Sequence, residues 1–261
     1  MNTRKLVQFG SLLALLLVTG ASRAADAGSP QYYELRTYIT SSTNQQAIIS
    51  DHWQNAAVPA YNRLGIQPIG VFTELEDSST NHIYVLIPYD SPGAYAAIPA
   101  KLAADETYQK ASASFMAMPK SNPAYVRFES SLLVAFDAMK KLVVPPSAAE
   151  KKPWIFELRC YQSPSESKGI NKVQMFNSGE VPLMQEVGLT PVFFSQTLIG
   201  TKMPNLVYML SGENRDEHKK HWQAFSDSAV WKKLSSDPQY QNNVSLVMPS
   251  IFLKRTPASQ I

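Results

Sequence analysis

Tyr33-Glu34-Leu35-Arg36-Thr37-Tyr38 returns as Phe156-Glu157-Leu158-Arg159-Cys160-Tyr161, about 123 residues further on. The same offset aligns Val58-Pro59 with Val181-Pro182, Gly65-Ile66-Gln67-Pro68 with Gly188-Leu189-Thr190-Pro191, and Leu75 with Leu198. About 10 of roughly 44 aligned positions are identical, where chance gives about 3, so one supersecondary unit has been used twice. The repeat decides the architecture and leaves the chemistry open.

Each half reads strand, helix, strand, strand, helix, strand. Residues 31–39 alternate as a strand, and a helix is predicted over 44–64 from apolar positions at Ile49, Trp53, Ala60 and Leu64. Pro59 removes a backbone donor inside that helix and predicts a kink or a fresh start, and Pro182 repeats it. Gly65 and Gly188 fit helix C-caps, where a left-handed residue is needed. Strands at 66–75 and 82–89 form a hairpin. A second helical region spans 91–118, broken near Pro99 and Asp105, with its counterpart at 215–234. Final strands are expected at 124–136 and 244–253. This is the ferredoxin-like βαββαβ order. Helices cover one sheet face, and a second copy can cover the other by closing two sheets into a barrel. The units span 31–136 and 154–254, joined by a linker over 137–153 that carries Pro145-Pro146 and Glu150-Lys151-Lys152.

Residues 1–24 read as a signal peptide: a basic start, an apolar run from Leu12 to Val18, and Ser22-Arg23-Ala24 as a cleavage site. A secreted or periplasmic location is expected, with no membrane span after cleavage. Arg4, Lys5 and Arg23 leave with the leader, so Lys+Arg falls from 24 to 21 against Asp+Glu 21. A near-neutral mature chain gives no support for nucleic-acid binding. Cys160 is the single cysteine, so no intramolecular disulfide forms, and it reads as a buried, inert thiol.

In the first strand one face is apolar and the other carries Glu34, Arg36 and Tyr38; the second half repeats this with Glu157, Arg159 and Tyr161. The apolar face is expected to meet the helices, leaving six polar side chains turned into the barrel. Two readings compete: Glu–Arg bridges that fix the half-sheets, or a polar-lined pocket for a small molecule. His52, replaced by Met175 in the second half, is either solvent-facing or a candidate acid or base. His218 and His221 stand three apart on a helix, but the flanking lysines read as a solvated face and no carboxylate completes a metal set. No phosphate-cradling glycine loop, paired-cysteine motif or nucleophile elbow is present. No metal or other cofactor is expected.

The repeated Glu-Leu-Arg-x-Tyr strand, the Val-Pro and Gly-x-x-Pro that follow, and the aromatic helix from Trp222 to Trp231 resemble the NIPSNAP family. Tyr108 stands where the second copy has Trp231. The resemblance implies a dimeric α+β barrel closed within one chain, as a monomer or weak homo-oligomer. The wider superfamily includes cofactor-independent monooxygenases, haem-binding barrels and small binding proteins, and no catalytic motif carries over residue by residue. Three functions are weighed. The first is binding of a small, partly apolar organic molecule in the barrel or an adjacent cleft. The second is a cofactor-independent monooxygenase or isomerase using His52, Glu34 or Tyr38. The third is a structural or protein-interaction module with a filled barrel.

Overall fold

The computed structural model describes residues 28–78, 80–150 and 154–261. The leader expected over 1–24 and residues 151–153 of the linker lie outside the described residues. The first half contains strands β1 (Tyr32–Ile39), β2 (Gly70–Glu74), β3 (Ile83–Tyr89) and β4 (Arg127–Ala135). Its helices are α1 (Thr43–His52), α2 (Val58–Arg63), α3 (Pro92–Ala96), α4 (Ile98–Ala104) and α5 (Glu106–Met116). After α6 (Pro146–Glu150), the second half has β5 (Ile155–Gln162), β6 (Thr190–Ile199), β7 (Asn205–Gly212), β8 (Leu246–Val247) and β9 (Ile251–Arg255). Helices α7 (Glu166–Met175), α8 (Val181–Glu186), α9 (Arg215–Asp227) and α10 (Ala229–Ser236) complete it.

All strand pairs are antiparallel. The order β7-β6-β4-β1-β3-β2-β9-β5 returns to β7, closing an eight-stranded barrel, with the short β8 beside the end of β5. Two seams join the halves: β2 to β9 and β4 to β6. The ferredoxin-like repeat and the intrachain dimeric α+β barrel are therefore as the sequence predicts. Among the described residues no helix is long and apolar enough to cross a membrane.

The proline expectation takes a defined form. A π-helical turn, Trp53–Ala57, separates α1 from α2, and Phe176–Glu180 repeats it before α8. Pro59 and Pro182 sit in the first turn of the following helix, where the missing N–H costs least. Gly65 (φ +77°) and Gly188 (φ +86°) end those helices in the left-handed conformation. Ile66 N–H then bonds back to Tyr61 O, and Leu189 N–H to Met184 O, as a Schellman closure requires. The 123-residue correspondence also holds at the N-caps: Ser42 with Ser165, Ser91 with Asn214, Asp105 with Ser228.

Three apolar clusters result. One lies between the first helix layer and its sheet and another between the second helix layer and its sheet. The third fills the barrel with residues from both halves, among them Tyr33, Phe72, Phe156, Phe193 and Met209. This inverts the expected strand faces. Tyr33 and Leu35 point into the barrel, while Glu34, Arg36 and Tyr38 face the helices, and β5 follows suit. The reason is that both sheet faces are dry once the second copy closes. The barrel centre offers almost no hydrogen-bonding partners, whereas the helix layers bring imidazole, indole and hydroxyl groups that can satisfy buried charge.

Candidate functional site

The two Glu–Arg pairs lie at separate helix–sheet interfaces and share no common chamber. In the first half, Glu34 is 2% exposed and takes Arg36 Nη2 at 2.8 Å, Ser130 Oγ at 2.7 Å and Tyr89 OH at 3.1 Å. Arg36 Nη1 donates to Tyr38 OH at 3.3 Å, and its guanidinium lies over Phe128. In the second half, Glu157 takes Arg159 Nη1 at 2.5 Å, Trp222 Nε1 at 2.8 Å and stands 2.7 Å from His218 Nε2. Arg159 donates onward to Ser250 Oγ at 2.9 Å and Tyr161 OH at 3.0 Å, and Tyr161 OH meets Tyr208 OH at 2.9 Å. Burial pushes the Glu157 carboxyl up, but bonds from His218, Arg159, Ser250 and Trp222 outweigh it and hold the pKa at about 2.

His218 is buried, so the solvated-face reading of its helix fails at that position. The signal that admits it is Gly212. The corresponding first-half residue, Tyr89, supplies a hydroxyl to Glu34; a Cβ at position 212 would stand 3.0 Å from His218 Nδ1. Glycine there clears the way for the imidazole to take the tyrosine's place on the carboxylate. Nor did sequence reasoning single out Lys172, which is buried against Glu180 with Nζ–Oε1 2.5 Å and Nζ 4.8 Å from the Phe176 ring centroid. Ile49 and Ala57 hold those positions in the first half.

His52 is also buried, at 7% exposure, and stacks on Phe115 with ring centroids 3.9 Å apart. Burial and the neighbouring Arg36 charge lower its pKa to about 4, with Asp51 opposing. Its Nδ1 and the indole nitrogen of Trp53 have no hydrogen-bond partner. Both face an interface where the second half has apolar Met175 and Phe176. His52 further lines a groove of about 390 Å³ between α1 with its π turn and α5, together with Ala56, Ala111, Phe115 and Met118.

The second half differs at this place. Leu234 replaces Ala111 and Gly179 replaces Ala56, and Leu234 Cδ1 comes within 2.6 Å of where a Cβ on Gly179 would stand. The leucine tip thus fills in the second half the space that two alanines leave open in the first. A separate cavity of about 200 Å³ opens at one end of the barrel, bordered by Leu35, Thr37, Leu158 and Cys160. Cys160 is half-buried, and burial raises its pKa against the nearby Lys202 charge, in keeping with an unreactive thiol. Among the described residues no group of three or more His, Cys, Asp or Glu is placed to hold a metal ion.

The His52 shift has a measurable consequence. The unfolded chain binds the imidazole proton below about pH 6.5, while the fold resists it until about pH 4. Stability therefore falls as pH drops through that window, by on the order of 3 kcal/mol at most. His52→Met, which installs the second-half residue, is expected to flatten the urea midpoint between pH 6.5 and 4.5. A variant that keeps the wild-type slope would place the acid sensitivity elsewhere.

Comparison with known proteins places this geometry. The family description NIPSNAP matches residues 33–130 and 156–260. Among solved structures, the chain is similar to a proposed monooxygenase from Lactobacillus acidophilus, with a TM-score of 0.55 and 8% identity over 89% of this chain and 97% of that one. A proposed monooxygenase from Fusobacterium nucleatum gives 0.52 and 7%, over 87% and 92%. An anthrone oxidase-like protein gives 0.50 and 10%, over 88% and 93%. At these identities the likeness is one of fold. No functionally curated protein matches the sequence.

Proposed function

Because this chain belongs to the NIPSNAP family, we propose that it is a secreted or periplasmic protein that binds a small, partly apolar organic molecule in the first-half groove. The observation that carries this reading is the asymmetry between the copies. One groove of about 390 Å³ stays open beside His52, whose Nδ1 has no partner, while in the second half Leu234 fills the equivalent space and Met175 stands in place of the histidine. Apolar walls with a few polar groups are the usual make-up of a small-molecule site. The leader-like composition of residues 1–24 supports the compartment.

Ala111→Leu tests the groove by copying the second-half plug. A neutral aromatic such as 1-naphthol should bind wild type at one molecule per chain, and the substitution should weaken it by at least about tenfold, or about 1.4 kcal/mol. Ala111→Ser, which keeps the volume, should bind as wild type does. Equal binding by wild type and Ala111→Leu would sink the proposal.

A second reading is favoured by one feature, the uncharged imidazole at the groove. His52 is unprotonated above about pH 4, the form that can accept a proton, and so low a pKa makes it a weak base that suits only a strongly acidified C–H or O–H. The oxidase and monooxygenase names of similar folds suggest where to look. Oxygen uptake with a phenolic ligand, lost in His52→Met while binding persists, would select this reading over simple binding.

A further inference from the structure

One stretch of the sheet keeps an open edge. Strand β4 pairs with β1 from Arg127 to Val134 but with β6 only from Leu132 to Ala135. Among the described residues, Arg127 to Ser130 therefore have a strand on one side alone, and all of them are exposed. Ala135 N–H bonds to Gln31 O toward β1, and Phe136 N–H bonds to Phe194 O toward β6. Alternation along the strand then turns the N–H and C=O groups of Phe128 and Ser130 to the open side. The second half closes the same place. Leu132 stands opposite Glu34 as Phe252 stands opposite Glu157, so Phe128-Glu129 corresponds to Met248-Pro249. There the strand is interrupted between Val247 and Ile251, and Pro249 has no N–H to offer an incoming strand. The first copy carries no such block.

A bare edge is usually guarded by charges that repel other strands. Arg127 and Glu129 guard this one against most strands, but not against a second β4. We propose that β4 pairs antiparallel with β4 of a second copy of this chain, about a two-fold axis at Phe128. Phe128 then exchanges both backbone hydrogen bonds with the partner's Phe128. Arg127 faces the partner's Glu129, and Glu129 faces the partner's Arg127, in the closer, non-hydrogen-bonded kind of pair with Cα atoms about 4.5 Å apart. The charges fix this register. An axis at Glu129 would set Glu129 against the partner's Glu129, and an axis at Ser130 would leave Arg127 without an opposite charge. A short edge is small against the roughly 1,200 Å² that a stable interface buries, and apolar neighbours extend it. Met116, Tyr125 and Val126 line a trough of about 390 Å³ beside the edge. Ile199, 69% exposed, flanks β4 at Leu132, and the two-fold carries it toward the partner's Val126. The proposal does not depend on the groove beside His52 binding a ligand.

Sedimentation equilibrium of the full chain tests the proposal and should show a dimer at micromolar concentration. Arg127→Glu sets like charges at both cross-strand contacts and should weaken the dimer at least about tenfold. Glu129→Arg should do the same. The double variant Arg127→Glu with Glu129→Arg restores opposite charges across the axis and should dimerise to within a few-fold of wild type. Both side chains are exposed, so the urea midpoint of each variant, measured at a concentration where all are monomeric, should match wild type. A wild-type chain that stays monomeric at near-millimolar concentration would overturn the proposal. So would a dimer indifferent to Arg127→Glu, a double variant as weak as the single ones, or open-ended assembly beyond the dimer.

Discussion

Lys172→Ala is expected to destabilise the fold by about 3 to 5 kcal/mol, the usual result of removing one partner from a buried ion pair. Lys172 and Glu180 are 4% and 2% exposed, and the ammonium packs against the Phe176 ring. Burial already raises the Glu180 carboxyl despite the opposing pull of Lys172. With the lysine gone, burial acts alone, and Glu180 takes up a proton rather than remain charged. The first half shows the alternative solution, since Ile49 and Ala57 hold the same two places without charge. Lys172→Ile combined with Glu180→Ala should therefore recover most of the loss, because well-packed apolar groups can replace a buried pair at little cost. Urea denaturation of the single and double variants decides the matter. A single substitution costing under about 1 kcal/mol would show the pair to be solvated.

Glu157→Ala should cost a comparable amount, about 3 to 5 kcal/mol, by leaving Arg159 uncompensated and Trp222 Nε1 and His218 without their acceptor. Glu157→Gln, which keeps shape and one acceptor oxygen, should cost less. The variant carries a pH signature as well. The folded carboxyl titrates at about 2 against an ordinary 4.5. Its contribution is thus fully present above about pH 4.5 and disappears as pH falls through about 2. Wild type should lose stability across that interval more steeply than Glu157→Ala. Parallel slopes would mean that the bonds around Glu157 do not favour its charged form. This window lies below the one assigned to His52, so the two effects separate on one pH series.

The repeat made the barrel readable because equivalent strands, caps and proline breaks fall at one spacing. Gly65, Gly188, Pro59 and Pro182 each impose a backbone requirement that is nearly independent of context. The direction of the strand faces was not readable. Tyr33 and Glu34 alternate whichever way the strand is turned, and only the second copy decides which face has polar company. Single-copy differences were equally hidden. Lys172 at the place of Ile49 reads as a surface lysine until Glu180, eight residues on, is brought beneath it by the π turn. The groove is legible only in the contrast of Ala111 with Leu234, which matters once helices α5 and α10 are seen to start from equivalent caps.

The β2–β9 seam also bears on how the chain reaches this state. Phe72 pairs with Arg255 and Val71 O receives Thr256 N–H, so partners in different halves, as much as 185 residues apart, must find one another. Contacts of such long sequence separation require most of the polypeptide to be ordered before they form, which slows folding. Until β9 docks, β2 keeps an unsatisfied backbone edge beside Phe72, the kind of template on which nascent chains stick together. Refolding yield should accordingly fall with protein concentration even where the finished barrel, which has no such edge at that seam, stays monodisperse.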